Sequence, residues 1–268
     1  MGDEITVEGE DARHLVQVVR MRPGERLRVS RILPGGAEGD SFLCELIGAE
    51  KTCIRLRVLE NVPSTELDNA IVLFQAIPKG DRMETVIEKA VELGAREIVP
   101  VEMKHCVVRL DEKKKKSRVR RYQTIAENAA RQSKRSHIPK VGDVISYREA
   151  LERAKTSDIC LVPYECEDGM ASTEKALAKI APGKSVSIFV GPEGGFAEEE
   201  IRAARDLGMD VISLGRRILR TDTAAIAAMT MVMPAPRGCE SQNCCEKAAM
   251  EDAVIEGKEN DKRNGSIF

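Results

Sequence analysis

A glycine-rich stretch, SIFVGPEGGFAEEEI at residues 187–201, joins an apolar strand to the start of a helix. Glycines allow the backbone to approach a ligand closely, and open α/β sheets bind their ligands at the carboxyl ends of their strands. The loop has neither the Gly-Lys-Ser/Thr ending of a Walker A motif nor the GxGxxG spacing of a dinucleotide fingerprint, so nucleotide phosphates are not its expected ligand. Taken alone, the loop is equally consistent with a structural turn.

A second segment of the same kind, SLGRRILRTDTAA at residues 213–225, follows the next predicted strand, at 211–214, and leads into an Ala-rich helix predicted from Thr223. Thr221 or Asp222 is the predicted N-cap of that helix. Three arginines within five residues provide enough positive charge to neutralise an anion, with surface solubility as the alternative interpretation. The two loops together are much more specific than either one alone.

Working outward, the sequence from residue 70 onward alternates short apolar runs with amphipathic helical stretches, which indicates a parallel α/β domain. The predicted strands are 70–77, 97–101, 159–163, 186–190 and 211–214, and the predicted helices before the last one are 83–93, 122–132, 173–180 and 198–207. Residues 4–62 instead alternate apolar and polar positions between Gly/Pro turns, which predicts a small antiparallel β-barrel or sandwich with one helix at 11–21. We expect domains at 1–66 and 67–234 and a disordered tail at 235–268, where Cys239, Cys244 and Cys245 match no common zinc spacing.

The composition excludes several classes of protein. The 268 residues carry 42 Lys and Arg against 44 Asp and Glu, and the aromatic content is 3% with no Trp. The chain is therefore neither a polycation nor a protein that binds RNA through a surface of stacked aromatic rings. An acidic N-terminus and the lack of a long apolar run predict a cytoplasmic protein with no membrane partner.

One segment is strongly basic. Residues 112–140 contain eleven Lys and Arg against two Glu, a net charge of +9. Such a patch on a nearly neutral chain predicts a polyanionic partner, because Lys and Arg that neutralise phosphates release counterions. The alternative is a solvated helix face. The candidate RNA-binding residues are Arg118, Arg120, Arg121, Arg131 and Arg135.

The two loops, together with KGDRMETVIEKAVELGAREIVPV at residues 79–101, resemble the ribosomal RNA small-subunit methyltransferase E family over about residues 4–232. The resemblance implies methylation of N3 of a uridine in 16S rRNA of the small ribosomal subunit with S-adenosylmethionine as cofactor. It also implies an N-terminal PUA-like β-barrel and a SPOUT-type α/β domain, whose C-terminal segment forms a trefoil knot and which assembles as a homodimer.

The resemblance further assigns roles to residues of the two loops. Arg220 and Thr221 are the candidate catalytic residues facing the methyl donor, and Arg220 would stabilise the negative charge that develops on the uracil. The proton acceptor is left open between Glu193, Asp222 and water. The three histidines, among them His105 and His137, are interpreted as ordinary surface or packed residues. The candidate cofactor-binding residues are Gly191, Glu193, Gly194, Leu214, Gly215, Ile218 and Leu219.

The chain departs from the family pattern in several places. The family commonly begins earlier, with a basic first strand, so we expect either a misassigned start or a truncated barrel. Met103-Lys104-His105 stands where the family commonly has Ser-Glu-Arg, Arg131-Gln132 stands for Glu-Gln, and Thr221-Asp222-Thr223 stands for Thr-Glu-Thr. The competing functions are a ribose 2′-O-methyltransferase of the same superfamily and a non-catalytic RNA-binding or ribosome-assembly factor.

Overall fold

The computed structural model describes residues 3–30, 40–64, 66–165 and 169–233. They fall into two compact units, residues 3–30 with 40–63, and residues 64–233 apart from the gaps. The expected disordered tail and its three cysteines lie outside the described residues. None of the helices in the described ranges has the length and apolarity needed to cross a membrane.

The first unit is a four-stranded antiparallel sheet with one short helix. Its strands are β1 (Glu4–Glu8), β2 (Arg26–Ser30), β3 (Ser41–Ala49) and β4 (Cys53–Val62), in the order β1-β4-β3-β2. Helix α1 (Glu10–Arg13) continues as a π-helical segment, His14–Val19. Leu15 from this segment is buried with alternating strand residues such as Leu46 and Leu56, so the period-two pattern of the sequence does form one face of a core.

The second unit is a parallel sheet covered by helices. Its strands are β5 (Ala70–Ala76), β6 (Ala95–Glu102), β7 (Lys140–Val141), β8 (Ile145–Ser146), β9 (Ile159–Pro163), β10 (Ser185–Val190) and β11 (Asp210–Ile212). The strand order is β11-β9-β10-β5-β6-β7, and β8 also pairs with β6. The helices are α2 (Arg82–Glu92), α3 (Glu112–Gln132), α4 (Tyr147–Ala154), α5 (Ala171–Leu177), α6 (Glu198–Asp206) and α7 (Thr221–Val232).

The central strands are buried on both faces, as their nearly continuous apolar sequences predict. On β5 and β10, the rings of Phe74 and Phe189 stack with centroids 4.7 Å apart, and the Tyr147 ring meets Phe189 edge-on at 5.9 Å. Because β5, β6, β9, β10 and β11 are paired in parallel, the loops that follow them share one edge of the sheet.

The predicted parallel α/β architecture is confirmed, although the short strands β7 and β8 are additional to it, and the main differences among the helices concern α3, α4 and α7. Helix α3 begins ten residues before the predicted start, because Asp111 caps it by accepting the backbone N–H of Lys114 at 2.8 Å. Helix α4 was not predicted, although Ser146 and Glu149 form a capping box at its start. Helix α7 begins at Thr221 with Arg220 as its N-cap residue and no side-chain cap, so the prediction of Thr221 or Asp222 as N-cap is wrong.

Candidate cofactor and RNA site

A cavity of about 500 Å³ opens at the carboxyl edge of the parallel sheet. Most of its wall comes from the three loops that follow β9, β10 and β11, and Arg82 adds a side chain from the start of α2. A volume of this size is typical of small-molecule and cofactor sites. The lining residues from these loops and from the ends of the adjoining strands and helix are Pro163, Tyr164, Glu165, Val190, Gly191, Pro192, Glu193, Gly195, Phe196, Leu214, Gly215, Arg217, Ile218, Leu219, Arg220, Thr221 and Ala224.

The glycine loop after β10 is shaped by close backbone packing. A Cβ atom at Gly191 would lie 3.1 Å from the Phe196 ring, and Gly195 has a φ of +68°, a conformation that favours glycine. The backbone N–H of Gly195 donates to the Pro192 carbonyl at 2.9 Å and closes a tight turn. These glycines therefore bring backbone atoms, rather than side chains, to the cavity wall.

A buried hydrogen-bond chain joins three distant parts of the fold beneath the cavity. The Thr221 hydroxyl donates to the Gly191 carbonyl at 2.7 Å and accepts from Gln75 Nε2 at 2.9 Å. Gln75 is fully buried on β5, and Thr221 is 4% exposed. The first residue of α7 is therefore attached to the ends of β10 and β5. Because the Thr221 hydroxyl already donates one hydrogen bond and accepts another, it is suited to holding α7 in place rather than to transferring a proton.

Glu193 is also engaged in structural contacts. Its Oε1 atom accepts the backbone N–H of Lys79 at 2.9 Å and a guanidinium N–H of Arg82 at 3.1 Å. The glycine loop is thereby attached to the loop between β5 and α2. The Oε1 atom of Glu193 therefore already has two donors. Asp222, the other carboxylate considered as a proton acceptor, is not among the residues that line the cavity.

Two cationic side chains and one carboxylate remain available on the cavity wall. Arg217 and Arg220 are exposed, and the described residues include no ion-pair partner for either. Glu165 is exposed as well, and within the described ranges it makes no hydrogen bond or ion pair. Its Oε1 atom lies 3.2 Å from the position that a Cβ atom at Gly195 would occupy. The cavity thus combines a backbone-lined wall with positive charge and one uncommitted acceptor.

The structure brings together most of the predicted site residues. Six of the seven candidate cofactor residues line the cavity, together with Arg220 and Thr221. Gly194 does not line it and packs against His105 instead, where a Cβ atom would lie 3.0 Å from the histidine Cβ. Sequence reasoning missed Arg82 and the β9 loop, although Tyr164 and Glu165 directly follow a predicted strand and the strand-end rule applies to them.

Burial suppresses the reactivity of two of the cysteines in the α/β unit, Cys106 and Cys160. Cys44, Cys53, Cys106 and Cys160 are free. Burial raises the pKa of the Cys106 thiol, and it raises the pKa of Cys160 to about 11. Both thiols are therefore protonated at neutral pH, when nucleophilic attack requires a thiolate.

Helix α3 carries most of the basic segment. Tyr122, Ala126, Ala129 and Ala130 form its buried stripe, and the basic side chains extend from the rest of its surface. Arg120, Arg121 and Arg131 are exposed and Arg118 is half-buried. Arg121 pairs with Glu84 at 2.8 Å. The helix therefore presents a basic surface of the kind expected to bind phosphates.

Arg135 is the exception, and the prediction that it contacts RNA is wrong. It is 5% exposed, forms an ion pair with Glu66, and donates to the backbone carbonyls of Val91 and Ala95 at 3.0 and 2.7 Å. The preceding residue, Lys134, has a φ of +58° and turns the chain at the end of α3. A guanidinium held in this way is not available to a phosphate.

Two family models match the chain. The model of the RNA methyltransferase domain matches residues 65–233, and the model of the RNA methyltransferase PUA domain matches residues 7–30. The cavity and the basic helix both lie within the first match. Fold and site thus define the chain as an RNA methyltransferase of the α/β class with a PUA-like module, and the fold class expected from the motifs is confirmed to that extent.

Comparison with individual relatives narrows this class. The chain is 35% identical over 231 residues to the ribosomal RNA small subunit methyltransferase E of Bacillus subtilis, which covers 85% of this chain and 88% of that protein. It is 32% identical over 236 residues to the enzyme of the same name from Mycobacterium bovis, with 86% of both chains covered. The chain belongs to the ribosomal RNA small subunit methyltransferase E family, which confirms the resemblance seen in the sequence.

Solved structures agree with this assignment. The Neisseria gonorrhoeae ribosomal RNA small subunit methyltransferase E bound to S-adenosyl methionine has a TM-score of 0.68 at 33% identity and covers 85% of this chain and 90% of its own. A Legionella pneumophila protein in complex with bound SAM has a TM-score of 0.70 at 29% identity and covers 86% and 91%.

Proposed function

We propose that the protein transfers a methyl group from S-adenosylmethionine to N3 of a uridine in 16S rRNA, acting in the cytoplasm on the small ribosomal subunit. The observation that carries the proposal is the cavity at the carboxyl edge of the sheet, which has a backbone-lined wall and two arginines without described counter-charges. The family to which the chain belongs supports the same reaction.

The cavity fits the cofactor in size and in chemistry. Its volume of about 500 Å³ lies within the range that encloses a nucleoside-sized ligand. Backbone groups of Gly191, Leu214, Gly215 and Leu219 would hold the cofactor, with Phe196 adding apolar surface. When bound, S-adenosylmethionine supplies an electrophilic methyl group on a positively charged sulfur.

The protein's own residues would manage the charge on uracil. N3 of uridine must lose its proton, and until the methyl group is transferred the resulting negative charge is shared with the two carbonyl oxygens. The N3 lone pair then forms the bond to the methyl carbon while the methyl–sulfur bond breaks, and the electron pair of that bond neutralises the positive sulfur. Arg220, exposed on the cavity wall, would donate hydrogen bonds to that charge in the manner of an oxyanion site. Glu165 would accept the N3 proton, because Glu193 is already engaged by Lys79 and Arg82.

Helix α3 would supply the affinity for RNA. The exposed residues Arg120, Arg121 and Arg131 and the half-buried Arg118 would neutralise backbone phosphates. A chain with 3% aromatic residues is better suited to a folded RNA, recognised through its shape and backbone, than to stacking on unpaired bases.

The expected homodimer has a candidate interface on α7. Ala225, Ala228 and Met229 face the protein interior, where α7 packs against α2 and β10. Ile226 and Met231, on other faces of the helix, are apolar and only half-buried. The apolar surface of α7 therefore extends beyond the face that packs inside this chain, which is the surface a second copy would cover. The expected trefoil knot is part of the proposal because of the family to which the chain belongs.

Mass spectrometry of 16S rRNA from a deletion strain tests the reaction. We expect the loss of one N3-methyluridine, restored by the wild-type gene. Loss of a 2′-O-methyl group instead would support the ribose methyltransferase, and an unchanged RNA would contradict both enzymes. Calorimetry with S-adenosylmethionine tests the non-catalytic alternative, which predicts no binding.

Purified variants test the assigned roles. Arg220→Ala should lower turnover by about 10²–10³-fold and still bind the cofactor. The control is Arg216→Ala, at an exposed residue of the same segment that does not line the cavity, which should not lower turnover in this way. Glu165→Gln should be slow on uridine and faster on RNA with 5-fluorouridine, whose N3 is more acidic. Full activity of either Arg220→Ala or Glu165→Gln would remove that residue from the mechanism.

A further inference from the structure

The segment after β6 lies directly against the glycine loop of the cavity. His105 Nδ1 is 3.0 Å from the carbonyl oxygen of Gly194 and 3.1 Å from that of Gly195. His105 belongs to Met103-Lys104-His105, the segment in which the chain departs from the family pattern. The sequence predicts an ordinary surface or packed histidine at this position, and the structure gives it two contacts with the loop.

These two contacts determine which ring nitrogen of His105 carries a proton. Carbonyl oxygens only accept hydrogen bonds, so Nδ1 must carry the proton that both oxygens share. One donor thus holds two successive carbonyl groups on the side of the loop that faces His105. Gly195 has a φ of +68°, which is one of many conformations open to a glycine, so a contact that holds its carbonyl group reduces the number of conformations the loop can adopt.

The end of the same loop is attached to the same segment through Glu200. The backbone N–H of Lys104 donates to Glu200 Oε1 at 2.9 Å, and the backbone N–H of Ala197 donates to Glu200 Oε2 at 2.9 Å. Glu200 is 7% exposed, so these hydrogen bonds are shielded from water. Because Glu200 already restrains the loop at Ala197, His105 restrains the part that is left, Gly194 and Gly195.

Gly194 also packs tightly against His105. A Cβ atom there would lie 3.0 Å from the Cβ of His105 and 3.6 Å from the His105 backbone oxygen. Gly194 does not line the cavity, whereas its neighbour Gly195 does. The second glycine of the motif therefore permits the approach of His105, and the third forms the cavity wall.

We propose that His105 is a positioning residue that holds the glycine loop in the conformation that binds the cofactor. This inference rests on the proposed function, because it takes the cofactor of the cavity to be S-adenosylmethionine. Without the Nδ1 donor, the loop would have to be ordered at the moment of binding, and that cost would appear as lost affinity. Since His105 touches the loop from outside the cavity, its loss should change cofactor affinity and leave the chemical step unaltered.

Replacements at His105 test the role of the Nδ1 atom. His105→Asn keeps an N–H donor near the position of Nδ1, His105→Gln moves the donor toward the position of Nε2, and His105→Ala removes it. We expect the dissociation constant for S-adenosylmethionine, measured by calorimetry, to rise roughly tenfold in the Ala and Gln variants and to stay near the wild-type value in the Asn variant. The KM for the cofactor should rise in parallel, with kcat unchanged. Val107→Ala, in the same segment at a residue that is 71% exposed, is the matched control.

Hydrogen exchange of the amides of residues 194–196 provides a measurement that needs no cofactor. Exchange should be faster in the Ala and Gln variants and close to wild type in the Asn and Val107→Ala variants. Unchanged exchange and affinity in His105→Ala, or an Asn variant as impaired as the Ala variant, would overturn the inference. If the wild-type protein failed to bind S-adenosylmethionine, the proposed function would fail, while the exchange rates would still decide whether His105 orders the loop.

Discussion

Removal of the Glu66 side chain should destabilise the α/β unit strongly, although Glu66 does not line the cavity. The Glu66 and Arg135 side chains are 8% and 6% exposed, and Glu66 Oε1 also accepts the backbone N–H groups of Ser136 and His137 at 3.0 and 3.2 Å. Glu66→Ala leaves a buried guanidinium without its counter-charge, which costs about 3–5 kcal/mol. A domain of this size loses about 2–4 °C in Tm per kcal/mol, so we expect Tm to fall by roughly 6–20 °C.

Thermal unfolding of the full chain, followed by circular dichroism at neutral pH, measures this shift. Arg120→Ala is the matched control, because Arg120 is exposed on α3 and such surface changes usually stay within about 0.5 kcal/mol. Glu66→Gln, which keeps the acceptor oxygen but loses the charge, should fall between the two. Arg135→Ala should resemble Glu66→Ala in Tm and bind rRNA like the wild type when measured below its unfolding transition. A Tm for Glu66→Ala equal to that of Arg120→Ala would refute the assignment of this pair as a buried structural contact.

Three further predictions concern the cavity, acid stability and RNA affinity. Thr221→Val leaves the Gly191 carbonyl without its donor, at a cost of about 1–3 kcal/mol. S-adenosylmethionine should therefore bind at least several-fold more weakly to this variant in a calorimetric titration. Thr221→Ser keeps the hydroxyl and should retain affinity in the same titration. Burial lowers the pKa of His137, so as the pH falls the unfolded chain takes up a proton before the folded chain does, and stability decreases below about pH 6.5. In denaturant titrations, His137→Gln should lose less free energy of unfolding between pH 6.5 and 5 than the wild type. An equal loss in the two proteins would contradict this prediction. Arg120→Glu should weaken rRNA binding and reduce the salt dependence by about one unit of slope in filter binding, whereas Arg148→Glu, exposed on α4, should do neither.

The fold could be predicted from the sequence wherever apolar pattern and burial coincide. The runs that became β5 and β10 are apolar almost throughout because both faces of those strands are covered, and their predicted bounds differ from the observed ones by one residue. The start of α3 escaped prediction because its first turns carry lysines rather than an apolar stripe, although Asp111 is a standard N-cap residue. Helix α4 also escaped, because eight residues are too few for the periodicity to stand out.

Charge was the least reliable guide to individual residues. The basic segment predicts a polyanion-binding surface, and α3 does present a basic surface, but counting charges treats every arginine alike. Arg135 differs from Arg131 because the chain turns at Lys134 and Glu66, 69 residues away, receives its side chain. No local pattern contains that partner, so a buried structural arginine and an exposed arginine look the same in the sequence.

The choice among the carboxylates of the site follows from the same kind of competition. Parallel strands end at one edge, so the pattern predicts that the loops after β9 and β10 meet, but not which side chain stays uncommitted. Glu193 is the weaker candidate for the proton acceptor because the Lys79 N–H, 114 residues away, donates to its Oε1 atom at 2.9 Å. Asp222 is a weaker candidate because it does not line the cavity. Glu165 keeps its acceptor capacity only because no described donor competes for it. The assignment of the proton acceptor therefore depends on contacts between loops, and a single new donor near Glu165 would change it without altering any motif.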